Sequence, residues 1–346
     1  MLKNNASLRM LARTHHGLHA QQICSRHDVT SGAAVHAGSW EKHDASSWNE
    51  SGMSRVDLHV QQRCTVVAQH SIRSHWMPAS CALRPVLNLT NLCRWASIVF
   101  VGDSLAYEMF EAMAFAINRT GSSECDLESW DACGSSGHCR ARCGAPCSGT
   151  DVAYARSDFL CTLCRRLNYT FEREQIDLDS LFSDSNRRLH VTNRSLVVMN
   201  TGMWWVWKLR LVAALTVSQL EHQFRLVVGE TIRLFVRKAA RVVVRLDFPG
   251  HRTCNESLQP IQHLDDHGLE APYHHEHIYT LNHLIAAECA RYAACDTLDV
   301  SHLSSLRPDV HPRRGAGKHH CVHWCSNGEP LHTWIRLLDV LVQDEL

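Results

Sequence analysis

Apolar runs set the architecture of this chain. Ser97-Ile98-Val99-Phe100-Val101 runs into Gly102-Asp103-Ser104, and from there the period changes: Leu105, Met109, Phe110, Met113 and Ala116 fall three or four apart. A short unbroken β-branched and aromatic run followed by helical spacing predicts a buried strand, a sharp turn and a helix. Residues 195–200 and 241–247 are runs of the same kind, ending in Asn200-Thr201-Gly202-Met203-Trp204-Trp205 and Phe248-Pro249-Gly250-His251. Between them, Ser218 with Glu221 forms a capping-box pattern that opens a helix to residue 239. A helix over 281–294, a short strand over 297–300 and a last helix over 330–342 follow, the last with Trp334, Leu337, Leu338 and Leu341 on one face. Strands alternating with helices imply an α/β domain with a mainly parallel sheet.

In such sheets functional groups gather beyond the carboxyl ends of the strands. Gly102-Asp103-Ser104, Asn200-Thr201-Gly202 and Pro249-Gly250-His251 all fall there. Ser104 has two readings: a helix cap, the commonest job of a serine at that place, or a nucleophile whose oxyanion the helix N-terminus stabilises.

Residues 1–60 are polar, rich in His and Ser and weakly periodic, which predicts a poorly ordered or loosely attached arm before a domain over 61–346. The chain has 346 residues, with Lys+Arg and Asp+Glu both 35, so no basic face is implied and nucleic acid is not a favoured partner.

Sixteen cysteines spread over the whole chain point to disulfides in an oxidising compartment. Asn-x-Ser/Thr acceptor sites at Asn5, Asn49, Asn88, Asn118, Asn168, Asn193 and Asn255 point the same way, since chance would give about two. The expectation is a lumenal or secreted glycoprotein. Residues 1–20 contain no apolar run of signal-peptide length and no stretch of the chain is apolar enough to span a bilayer, so this reading expects a truncated or misassigned start. Gln343-Asp344-Glu345-Leu346 is either close to an endoplasmic-reticulum retrieval signal or an acidic helix end.

Cys125, Cys133, Cys139, Cys143 and Cys147 lie among Gly, Ser and Ala and predict a disulfide-pinned loop. The rival is a zinc site with His138 and Cys161-x-x-Cys164, although the spacings match no paired knuckle. His274, His275, Glu276, His277 and His283 read as a solvated loop against a metal site, and no metal or cofactor is expected. Trp204, Trp205 and Trp207 read equally as core or as a platform for sugar rings.

Near the C-terminus come Arg307-Pro308-Asp309-Val310-His311-Pro312, then Cys321-Val322-His323-Trp324-Cys325, then Thr333-Trp334. With the Gly-Asp-Ser and Asn-Thr-Gly stretches, these resemble the PC-esterase family. That group contains plant trichome-birefringence-like polysaccharide O-acetyltransferases and Cas1-type sialic acid O-acetyltransferases. The resemblance runs from about Cys64 to Leu338. It implies an SGNH-hydrolase-like three-layer α/β/α fold and an acyl-transfer centre. The nucleophile would be Ser104, the base His323, and the oxyanion donors the Ser104 N–H and the Asn200 amide. The acceptor would be a glycan or polysaccharide, with acetyl-CoA or another acyl donor. Disulfides through Cys321 and Cys325 would pin the loop that bears the base.

The family's acid lies three residues before its histidine, where this chain has His320. An imidazole there cannot orient His323 or stabilise its cation as a carboxylate does. Asp309 is the expected substitute. Met203 and Val310 also depart from the family pattern, and Ala106-Tyr107-Glu108 lacks its usual arginine. Two functions follow: an O-acyltransferase or acetylesterase, or a glycan-binding protein whose catalytic centre has decayed. They are separated by whether a carboxylate reaches hydrogen-bond distance of His323.

Overall fold

The computed structural model describes residues 22–42, 74–83, 89, 91–120, 125–127, 138–144, 147–162, 178, 182, 191–207, 215–251, 254, 260–261, 276–311, 321–325 and 329–343. Their strands are β1 (Gly38–Lys42), β2 (Ser74–Pro78), β3 (Ser97–Gly102), β4 (Asp126–Leu127), β5 (His138–Arg142), β6 (Asp151–Arg156), β7 (Ser195–Met199), β8 (Arg241–Leu246) and β9 (Cys295–Asp299). Their α-helices are α1 (Arg26–Thr30), α2 (Ala33–His36), α3 (Ser104–Thr120), α4 (Val217–Lys238), α5 (Glu276–Cys289), α6 (Ser301–Ser305) and α7 (Leu331–Leu341).

The main sheet has seven strands in the order β4-β5-β6-β3-β7-β8-β9. From β6 to β9 every pairing is parallel, while β5 and β4 add antiparallel at one edge. The alternation within each strand builds two cores. Ile98, Phe100, Leu196, Val198 and Val243 pack with α3 and α7 on one face; Val99, Val101, Val197, Met199, Val242 and Val244 pack with α4 and α5 on the other. A strand covered on both faces must be apolar throughout, which is why β3, β7 and β8 read as unbroken runs. The expected α/β/α layering is what forms. The chain leaves β3 to build β6 on one side and returns to place β7 on the other. That reversal is a topological switch point, the place where functional groups gather beyond the strand ends in such sheets.

The expectation of a loosely attached N-terminal arm does not hold for residues 22–42. Cys24 is bonded to Cys81 and β1 pairs antiparallel with β2. Trp76 donates its indole N–H to Ala34 O at 2.8 Å, and Trp40 donates to Leu303 O at 3.0 Å. Buried tryptophans whose N–H groups are satisfied anchor this segment against α6. Arg26 adds an ion pair with Asp296 at the start of β9. The rest of the arm lies outside the described residues.

Helix α4 starts earlier than predicted. Thr216 is its N-cap, its hydroxyl taking the Gln219 N–H while the Gln219 side chain takes the Thr216 N–H at 2.9 Å. Two overlapping capping boxes exist in the sequence, and the earlier one, at an extended backbone, is used.

All described cysteines are disulfide-bonded. Besides Cys24–Cys81 the pairs include Cys93–Cys147, Cys125–Cys143, Cys254–Cys321 and Cys289–Cys295. A thiol in a disulfide cannot ligate zinc, so the zinc reading fails for Cys125, Cys139, Cys143, Cys147 and Cys161. No described helix is long and apolar enough to cross a membrane. Replacing both Cys24 and Cys81 by serine is expected to cost about 2–4 kcal/mol of stability in non-reducing denaturant melts, with residues 22–42 becoming the first site of proteolysis.

Candidate functional site

The strand ends at the switch point are tied by a buried polar clasp. Asn200, just past β7, gives its amide to Asp103 Oδ1 at 2.9 Å and to Asp247 Oδ1 at 3.2 Å. Asp103 Oδ1 also takes the Leu105 N–H at 2.9 Å, so this carboxyl caps α3. Asp247, just past β8, is held by Arg245 at 2.6 Å, and its backbone is gripped by Asn282 of α5 through bonds of 3.1 and 2.6 Å. One amide thus ties together the carboxyl ends of β3, β7 and β8. The approach needs a glycine at 102, where an added Cβ would stand 2.4 Å from Asn200 Oδ1.

Burial beside the Asp247 carboxylate pushes Asp103 up to about 7. Two carboxyls sharing one amide in a dry site disfavour a second charge, and the Asn200 bond only partly offsets this.

Both amide hydrogens of Asn200, which lies at the strand end as expected, go to the carboxyls of Asp103 and Asp247. Ser104 is half-buried at the first position of α3.

His323 reaches the same helix from far along the chain. Its Nδ1 lies 2.7 Å from Glu108 Oε1, and the neighbouring Trp324 N–H donates to Glu108 Oε2 at 3.0 Å. Glu108 is one helical turn beyond Ser104, and residues four apart share a helix face. Around His323 everything is fixed. Cys254–Cys321 closes one side, and the His251 N–H donates to Cys321 O at 2.9 Å. The His311 Nδ1–H donates to His323 O at 2.5 Å, and His311 meets His251 at 2.6 Å. Trp324 stacks on His311 with ring centroids 4.3 Å apart and packs against Phe248 at 4.9 Å. Burial, then the neighbouring His251, hold His311 well below the ordinary histidine range, so it is a neutral donor to the loop.

Asp309 is not the carboxylate at His323. A short 3₁₀ turn, Pro308–Val310, directs it back to Arg307, whose Nε and Nη2 take its two oxygens at 2.8 and 3.1 Å in a fully buried pair. Glu108 is the residue that sequence reasoning missed. Its signal, shared with Glu111, was a buried carboxylate on a largely apolar helix, where such a group demands a partner. His320, at the position of the family's acid, lies outside the described residues, as do Pro312, His274 and His275. Of the three tryptophans, Trp205 is core, bonded to Phe159 O, while Trp207 is 41% exposed beside Trp204.

The sheet order and its two helical layers form an SGNH-like α/β domain. Residues 86–246 match the family model of PC-Esterase, a GDSL/SGNH-like acyl-esterase family found in Pmr5 and Cas1p. The match takes in Ser104, Glu108 and Asn200 and ends before His323. No curated protein matches the chain.

A pH measurement tests the clasp. A carboxyl whose folded pKa is raised from 3.8 to about 7 gives stability that is fully present below the lower value and lost as pH rises through the upper one. In urea melts over that interval, the stability of the natural protein is expected to fall more steeply with pH than that of Asp103→Asn. Parallel curves would mean that Asp103 ionises as in the unfolded chain.

Proposed function

We propose that this protein transfers an acyl group, with acetyl the simplest case, to a glycan hydroxyl or to water, using Ser104 as nucleophile and His323 as base. The observation that carries the reading is convergence: Ser104 opens α3, and a histidine 219 residues further on docks on Glu108, one turn along the same helix. In an SGNH-like fold matched by an acyl-esterase family model, a serine, a histidine and a carboxylate brought to one helix have the chemistry of a serine acyl-transfer centre.

Ser104 Oγ attacks the acyl carbonyl as its proton passes to His323 Nε2. The oxyanion forms beside the Ser104 N–H at the positive end of α3. His323 then protonates the leaving alcohol or thiol, and a sugar hydroxyl or water takes the acyl group in the reverse sequence. Both side chains reach solvent from a buried setting: Ser104 is half-buried, and the His323 side chain is 22% exposed. The disulfides and the acceptor asparagines support a setting in the secretory lumen or outside the cell. The carboxylate at the His323 Nδ1 supports this reading over the alternative of a decayed, purely glycan-binding cleft.

The test is hydrolysis of 4-nitrophenyl acetate, and acetyl transfer from acetyl-CoA to a polysaccharide, by the purified disulfide-intact protein. Ser104→Ala and His323→Ala are each expected to lose at least about a thousandfold in kcat. Equal rates in Ser104→Ala and the natural protein would sink the proposal.

A further inference from the structure

The carboxylate on His323 comes from an unexpected element. The family pattern places an acid three residues before the histidine, and this chain has His320 there. Glu108 instead sits on α3, four residues after Ser104, and both of its oxygens serve the His323 loop: Oε1 at the imidazole Nδ1 and Oε2 at the Trp324 N–H. An ionised carboxylate only accepts hydrogen bonds, so this contact places the proton on Nδ1 and leaves Nε2 as the basic nitrogen. The second bond, to a backbone amide, fixes the plane of the carboxylate and therefore the plane of the ring. Glu108 is 3% exposed, so a role in mere solubility is excluded by its position.

We infer that Glu108 is the positioning acid of the Ser104–His323 pair, taking over from the loop position that His320 occupies. This rests on the acyl-transfer reading of Ser104 and His323. The nucleophile and the acid come from successive turns of one helix, and the base docks on the acid from a second element. In the acylation step the Oγ–H bond breaks as the Oγ–C bond forms, and the proton passes to His323 Nε2. Glu108 takes no proton; it holds the tautomer and offsets the charge of the imidazolium.

The experiment compares the natural protein, Ser104→Ala, Glu108→Gln and Glu108→Asp on 4-nitrophenyl acetate, with the proton spectrum of histidine-labelled protein as a second readout. Glu108→Gln is expected to lose about 10²–10⁴-fold in kcat with KM within about twofold, because an amide can donate to Nδ1 and so favours the wrong tautomer. Glu108→Asp is expected to recover part of that loss. A strongly downfield Nδ1 proton of His323 is expected in the natural protein and in Ser104→Ala, and absent in Glu108→Gln. If Ser104→Ala is inactive while Glu108→Gln turns over at the natural rate, the inference falls and the acyl-transfer reading stands. If Ser104→Ala is as active as the natural protein, the reading falls, and the inference with it. Should Glu108→Gln fail to fold, absence of the downfield resonance from the natural protein overturns the assignment.

Discussion

The amide of Asn200, held between the carboxyls of Asp103 and Asp247, is the contact on which the working end of this protein depends. Three parallel strands would otherwise end in three independent loops. The shared amide gives those ends one geometry, and the same Asp103 oxygen caps α3, so the start of the helix is set by the sheet. The cost is two carboxyls in a dry site, and it shows as the raised Asp103. Burying polar groups is tolerable only when each finds partners. Arg245 holds one Asp247 oxygen and Asn282 the Asp247 backbone, Asp247 Oδ2 and Asn200 Oδ1 make no hydrogen bond among the described residues, and the missing side chain of Gly102 makes room for the approach.

The His323 side is held differently. The loop bearing His323 has little regular structure and is fixed by a disulfide, by His311 on its carbonyl and by Glu108 on its ring. Each restraint arrives from a different part of the chain: the turn after β8, the 3₁₀ turn after α6, and α3. A loop fixed from several sides can orient a side chain with the precision of a rigid element. The aromatic seat of Phe248, His311 and Trp324 fills the space behind it.

Much of this was legible in the sequence, and the limits have physical causes. β3, β7 and β8 are covered on both faces, so their apolar runs leave no ambiguity. β5 and β6 escaped notice because His138–Arg142 alternates polar with small residues at a sheet edge and Asp151–Arg156 is rich in alanine. Residues 22–42 looked like an arm because the groups that tie them down, Cys24 and Trp40, find partners distant in sequence. Ser104 and His323 were marked by motif and position. The partners of Asn200 were not legible, because the two carboxyls that take its amide hydrogens, Asp103 and Asp247, are distant in sequence. Asp309 was a reasonable candidate by spacing, yet a guanidinium two residues away is a closer and stronger partner than an imidazole on another loop.

Glu108 brings these threads together. A carboxylate placed on the histidine's own loop must be positioned by that loop, so any slack affects acid and base alike. A carboxylate on α3 is positioned by the helix, and its distance from Ser104 is set by helical geometry. The helix is in turn placed by Asp103 and the clasp. The loop then needs only to dock, and Glu108 accepts both the imidazole and the following backbone N–H when it does. If Ser104 and His323 form the proposed centre, the charge that the family pattern places three residues before the histidine stands in this chain one turn beyond Ser104, on a helix capped by Asp103.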